Sequence, residues 1–198
     1  CGAETVFVEP EEIAQICPQL DLAGGGRYPV MGASYHPQGA TARHDRVVWA
    51  FAEGAMREGV DVLQGTAVTG LRLEAGRVTG VETAAGTIGA DVVLSAVGGQ
   101  VSTIAAMAGV RLPIVTHPLQ AFVTNHYTDT LLPMVTSADL LTYVSQTPRG
   151  ELLVGAEIER QSSYSYQSGF DFLQLCSLRA MTLFPFMRRL RLLRQWAG

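Results

Sequence analysis

Apolar and polar residues alternate in short runs along much of this chain, and give way to a three-and-four spacing in a few places. The alternation predicts a short strand over 3–9, an extended stretch over 27–35, and strands over 67–74, 77–83 and 87–88 with glycine turns at Gly76 and Gly86. That spacing makes a small antiparallel meander. Further strands fall within 114–125, 139–146 and 151–158, separated by turns at Pro133 and at Pro148-Arg149-Gly150. Helices are predicted over 10–16, where Pro10 takes the first turn, and over 101–108 and 170–184, the last broken by Pro185.

One more helix opens at His44. Val47, Val48, Phe51, Ala52 and Ala55 recur on one of its faces, Thr41 is the expected N-cap, and Gly59 the expected stop. The runs that follow, 60–64 and 90–99, read differently. Val60-Asp-Val-Leu after a helix and a glycine fits an αβ connection, and Val92-Val93-Leu94 is apolar throughout, as a central parallel strand should be. Ala96, Gly98 and Gly99 end that run with small residues, which suit either a tight turn or close approach of another molecule to the backbone.

Composition narrows the function classes. The chain has 198 residues, of which 47% are hydrophobic and 16% charged, with a net charge of −4. Such a chain has ample material for a core and no basic run, so nucleic acid is not an expected partner. No apolar run reaches membrane-spanning length, and no membrane role is expected. All fourteen basic residues are arginine. Cys1, Cys17 and Cys176 are odd in number and scattered, which reads as reduced thiols in a cytoplasmic protein, with no metal site. The chain begins without Met and stops just after an apolar segment, and is read as an internal fragment. Arg188, Arg189, Arg191 and Arg194 read as a solvated or subunit-facing edge.

The reactive side chain in the most telling place is His44. At a helix start its ring is free to reach a ligand, and the positive end of the helix dipole disfavours imidazolium. A lone histidine in such a loop is more often an ordinary residue, so the position alone leaves both readings open. Gly24-Gly25-Gly26 lacks the order of a phosphate-binding fingerprint.

Four stretches carry a resemblance: GRYPVMGASYHPQGATARHD (26–45), VRLPIVTHPLQAFVTN (110–125), TYVSQTPRGELLVGAEIE (142–159) and LFPFMRRLRLLRQWAG (183–198). They resemble the β subunits of heterotetrameric sarcosine oxidases, within the amino-acid-oxidase-like flavoprotein family. The resemblance implies an α/β plus α+β fold: part of a Rossmann-like FAD-binding domain with a mixed or antiparallel-sheet substrate domain. It divides the chain into substrate-domain segments over 1–40 and 110–192, an FAD-binding segment over 41–109, and a return to the FAD-binding domain from 193 to 198.

The same resemblance implies two flavins, a noncovalent FAD and an FMN attached covalently through His44, with Arg43 beside the FMN. Arg43 stands where relatives often carry lysine, which keeps the charge without a titratable amine. Val68 is implied to meet FAD through its backbone, and Ser95, Ala96 and Gly98 to lie near the FAD diphosphate and ribose. His117 is implied near a flavin and Tyr143 in the cavity, although locally His117 reads as a structural imidazole and Tyr143 as core. Glu157 stands where relatives tend to have glycine. The implied activity is oxidation of sarcosine to glycine, with the one-carbon unit passing to tetrahydrofolate or leaving as formaldehyde and oxygen becoming hydrogen peroxide. The implied partners are α, γ and δ subunits, and the segment by itself is expected to be inactive. The alternatives are a single-flavin FAD-dependent oxidase or dehydrogenase of another secondary or tertiary amine, and a truncated non-catalytic fragment.

Overall fold

A computed structural model of the chain describes residues 2, 4–131, 133–156 and 158–198. Glu157, singled out above, lies outside the described residues. In chain order the elements are β1 (Val6–Val8), α1 (Pro10–Ile16), β2 (Ala33–Tyr35), α2 (His44–Arg57), β3 (Val68–Glu74), β4 (Arg77–Thr83), β5 (Gly86–Gly89), α3 (Val101–Met107), β6 (Gln120–His126), β7 (Val135–Ser137), β8 (Thr142–Gln146), β9 (Glu151–Ala156), α4 (Phe170–Leu183) and β10 (Leu192–Ala197). They fall into two compact units, residues 1–37 with 116–198, and residues 38–115.

The first unit is built on a five-stranded antiparallel sheet of order β10-β6-β9-β8-β7. Side chains alternate between its faces. Phe122, Val154 and Val144 are direct cross-strand neighbours on one face, and α4 packs against β8 and β9. Leu152, Cys176, Ala180 and Phe184 complete a core that solvent does not reach. Phe172, in the first turn of α4, meets Phe122 edge to face with ring centres 6.4 Å apart. Fully burying an aliphatic or Phe side chain contributes about 1.5–3 kcal/mol, so this face holds the unit together. The antiparallel pair β1–β2 and the intervening α1 flank the sheet, with Ile13 of that helix and its C-cap Cys17 buried. Pro10 opens α1, and the Glu9 amide donates to Glu12 Oε2 at 3.2 Å.

The last strand is a correction. Residues 193–198 do not leave this unit: Leu192–Ala197 pair with β6 as the sheet's edge strand. A register shift between Leu192 and Arg194 breaks the alternation that would have announced the strand. β7 also went unread, because its three residues are too few to show a period.

The second unit holds the β3-β4-β5 meander in the expected antiparallel register, with α3 packed on β3. Helix α2 runs as expected from His44, and Gly59 follows its end with φ +85°, the left-handed stop a glycine supplies. The N-cap is Arg43 and not Thr41, and no side chain caps the helix. The expected parallel strands over 60–64 and 92–94 are not strands here. Neither run has a ladder partner among the described residues, and Val92 and Leu94 are 84% and 89% exposed. The physical reason is plain: a central strand exists only between two neighbours, and among the described residues nothing pairs with either run. Every buried apolar side chain among the described residues belongs to the first unit.

The contrast has a measurable consequence. Leu152→Ala should lower the stability of the chain by about 2–5 kcal/mol in urea unfolding, as core truncations do. Val92→Ser in the same protein should change it by less than about 0.5 kcal/mol.

Candidate functional site

Of the eight residues that the resemblance implies at a flavin or in its cavity, six lie in the second unit: Arg43, His44, Val68, Ser95, Ala96 and Gly98. His44 is the first residue of α2, and its ring is exposed. Among the described residues no hydrogen bond holds that ring, so either nitrogen is open to a ligand. Arg43 is committed elsewhere. Its guanidinium grips Asp45 through both oxygens, Nε at 3.3 Å and Nη2 at 2.7 Å. The Arg43 hydrogen bond holds the Asp45 carboxyl below the usual carboxylate range, with further help from an amide and from the Arg43 and His44 charges. The cation expected beside a flavin therefore already carries its own counter-ion. An exposed pair of this kind is worth little and opens easily.

Val68 begins β3, partly exposed and opposite Thr83. Ser95 and Ala96 are exposed, and Gly98 opens a 3-10 turn with φ +54°. That left-handed backbone is the reason for a glycine there. Since α3 follows this turn directly and packs on β3, the structure brings the 95–98 segment and the Val68 strand into neighbouring elements. No residue of α2 is buried, and His44 is not drawn into that grouping.

His117 and Tyr143 lie in the first unit. His117 Nδ1 lies 2.8 Å from the Glu159 carbonyl; the oxygen can only accept, so Nδ1 carries the proton. The Glu159 amide donates to the Pro118 carbonyl, and its carboxylate accepts from Gln120 Nε2 at 2.8 Å. His117 thus tethers the segment after β9. Tyr143 is on the sheet face opposite α4, half-buried. Its ring lies across Gly155, its cross-strand neighbour: a β-carbon there would sit 2.3 Å from the ring. Burial raises the phenol above its ordinary value, with the Cys176 thiol adding to it, so the hydroxyl remains a donor at neutral pH.

Two features of this face escaped the sequence reading. Tyr143, Gly155, Ala121 and Trp196 form one cross-strand row, and Arg194, two residues before Trp196, stacks on its ring at 4.8 Å. The row forms a platform whose small floor residues, Gly155 and Ala121, are buried, with the Tyr143 ring lying over Gly155, Trp196 at the far end and the Arg194 guanidinium over Trp196. The alternation of Arg194 with Trp196 was the available signal, obscured by the bulge before it. Among the described residues no group of acidic, histidine and cysteine side chains could hold a metal ion. Nor is any helix long and apolar enough to cross a membrane.

Comparison with known proteins bears on this arrangement. A family model described as "DAO: FAD dependent oxidoreductase" matches residues 1–198. The chain is 40% identical over 197 residues to sarcosine oxidase subunit beta of an Arthrobacter species, which takes in all of this chain and 49% of that protein. It is also 40% identical over 197 residues to sarcosine oxidase subunit beta of Rhodobacter capsulatus, again covering all of this chain and 47% of the relative. Among solved structures, L-proline dehydrogenase from P. horikoshii superposes with a TM-score of 0.90 at 31% identity, covering 100% of this chain and 52% of that one. The chain spans about half the length of the curated relatives it matches.

Two outcomes check the local geometry. An NMR titration should find the Asp45 carboxyl below the ordinary value of about 3.9, and Arg43→Gln should return it toward that value. Because the folded-state value is depressed, whatever the pair adds to stability is present above the ordinary value and lost as pH falls through the depressed one. Gly155→Ala should force the Tyr143 ring off the sheet and lower stability by about 1–3 kcal/mol in urea unfolding, whereas Gly155→Ala combined with Tyr143→Ala should lose less than the sum of the single changes.

Proposed function

The chain belongs to the FAD dependent oxidoreductase family, and from that premise we propose that it forms part of the β subunit of a multi-subunit sarcosine oxidase. The observation that carries this reading is the unbroken likeness to such β subunits along the whole chain. In this reading the full protein acts with α, γ and δ subunits in the cytoplasm, where the free thiols of Cys17 and Cys176 stay reduced. The substrate is sarcosine: loss of two electrons takes its N-methyl carbon to the imine level, and water then releases that carbon as formaldehyde, or tetrahydrofolate takes it up, leaving glycine.

The residues present fit a flavoprotein. The exposed His44 ring, unheld at a helix start, suits covalent attachment of FMN, which needs a nitrogen lone pair and open access. Arg43, released from Asp45, would set a positive charge beside that flavin. The backbone at Val68 and the small residues Ser95, Ala96 and Gly98 would hold FAD, with glycine and alanine giving the chain a close approach. Bound flavins would supply the chemistry, taking two electrons from the amine and passing them to oxygen, which leaves as hydrogen peroxide. The chain's own residues bind, orient and neutralise. On the platform of the first unit, the protonated Tyr143 hydroxyl can donate to an anionic substrate group. The residue 38–115 unit exposes the apolar runs at 60–64 and 92–94, so FAD is expected to bind only when the rest of the protein pairs with them.

A second reading rests on the likeness to L-proline dehydrogenase, a protein named for a secondary amine other than sarcosine. Here the protein oxidises such an amine with FAD alone, and His44 carries nothing.

One experiment separates the two. The full-length protein, co-expressed with the subunits encoded beside it, is denatured, digested and analysed by mass spectrometry. An FMN adduct on the peptide containing His44, absent from His44→Ala while FAD is retained, is the expected result. An unmodified His44 peptide with FAD released intact would overturn the covalent assignment and favour the single-flavin reading.

A further inference from the structure

On the α4 side of the first unit's sheet, a groove of about 250 Å³ opens between α4, the 3-10 turn Pro185–Arg189 and β6. Phe122, Leu173, Met181 and Leu190 form its apolar floor, and Ser177 and Arg188 stand on its rim. Leu178, on the helix turn next to Met181, carries the apolar surface outward and is 54% exposed. The cavity is small against the roughly 300–1,000 Å³ typical of small-molecule sites, and it is open along one side. Its shape suits individual side chains projecting from a larger partner better than an enclosed ligand.

The charge beside it is one-sided. The chain as a whole is acidic, at −4, yet no Asp or Glu occurs from residue 172 to residue 198, while Arg188, Arg189 and Arg191 follow one another closely. All three are exposed, and among the described residues none of them forms an ion pair. Arg194 is different: it is stacked on Trp196, on the opposite face of the sheet. Unpaired arginines are efficient carboxylate binders, and at the edge of an apolar pocket they give direction to an otherwise non-directional contact.

We propose that this groove docks an acidic amphipathic segment of a partner polypeptide, whose apolar side chains enter between α4 and β6 and whose carboxylates face Arg188, Arg189 and Arg191. The apolar anchors supply affinity, and the arginine edge sets orientation and rate of encounter. This inference is independent of the reaction proposed above, since the groove contains none of the residues assigned to flavin or substrate.

The test uses full-length protein carrying its flavin and two fluorescein-labelled helical peptides with the same leucine face, one flanked by glutamates and one by lysines. The glutamate peptide should bind, more weakly as salt rises, and the lysine peptide should not. Binding should weaken at least tenfold in R188E/R191E, which removes the complementary charge, and at least tenfold in S177W, which fills the groove. Flavin absorbance equal to that of the unaltered protein shows that each variant is folded. If charge reversal costs flavin, the milder R188Q/R191Q carries the charge arm with the same expectation. Equal binding of the two peptides, binding of neither, or binding that survives either the charge variant or S177W would overturn the proposal.

Discussion

The packing of α4 onto one face of the β6-β9-β8 strands is the interaction on which the rest of this structure depends. Phe122, Val154 and Val144 align across three strands, and Cys176, Ala180 and Phe184 close over them. Because the strands alternate, fixing one face fixes the other. With Val144 and Thr142 turned inward, Tyr143 must face outward; with Val154 inward, Gly155 must lie beneath its ring. The row of Tyr143, Gly155, Ala121 and Trp196 is thus the reverse side of a hydrophobic core. A one-residue slip of β8 would exchange the two.

Buried thiols follow from the same packing. Thr142 donates to the Gly155 carbonyl and lies 3.7 Å from Cys176, and burial pushes the Cys176 thiol up to about 11. This cysteine stays neutral and serves as a small apolar residue. The outer face of the same sheet carries the Tyr143 hydroxyl and the Arg194 guanidinium.

The residue 38–115 unit obeys the opposite constraint. Its meander is complete, since β3, β4 and β5 satisfy one another locally. Its helix and its two apolar runs are not, and Phe51 on the face of α2 is 76% exposed. Secondary structure that needs only neighbours in sequence has formed, whereas structure that needs distant strands has not. An exposed His44 is a consequence of the same situation: it sits at the end of a helix whose remaining surface also lacks cover.

What the sequence determined was what local physics can settle. Proline at the first turn placed α1, the three-and-four spacing after His44 placed α2, glycine turns placed the meander, and the resemblance of whole words pointed to the family. Apolar content alone made 60–64 and 92–94 look like buried strands, but a strand is defined by its partners, and that information is not local. The tertiary structure alone decided which of two alternating faces carries Tyr143, that Arg43 spends its charge on Asp45, and that 192–197 closes the sheet of the first unit. Each depends on a contact between residues whose pairing no periodicity encodes: a cross-strand register, a rotamer that reaches a neighbouring carboxylate, and a bulge that hides a strand from its own alternation.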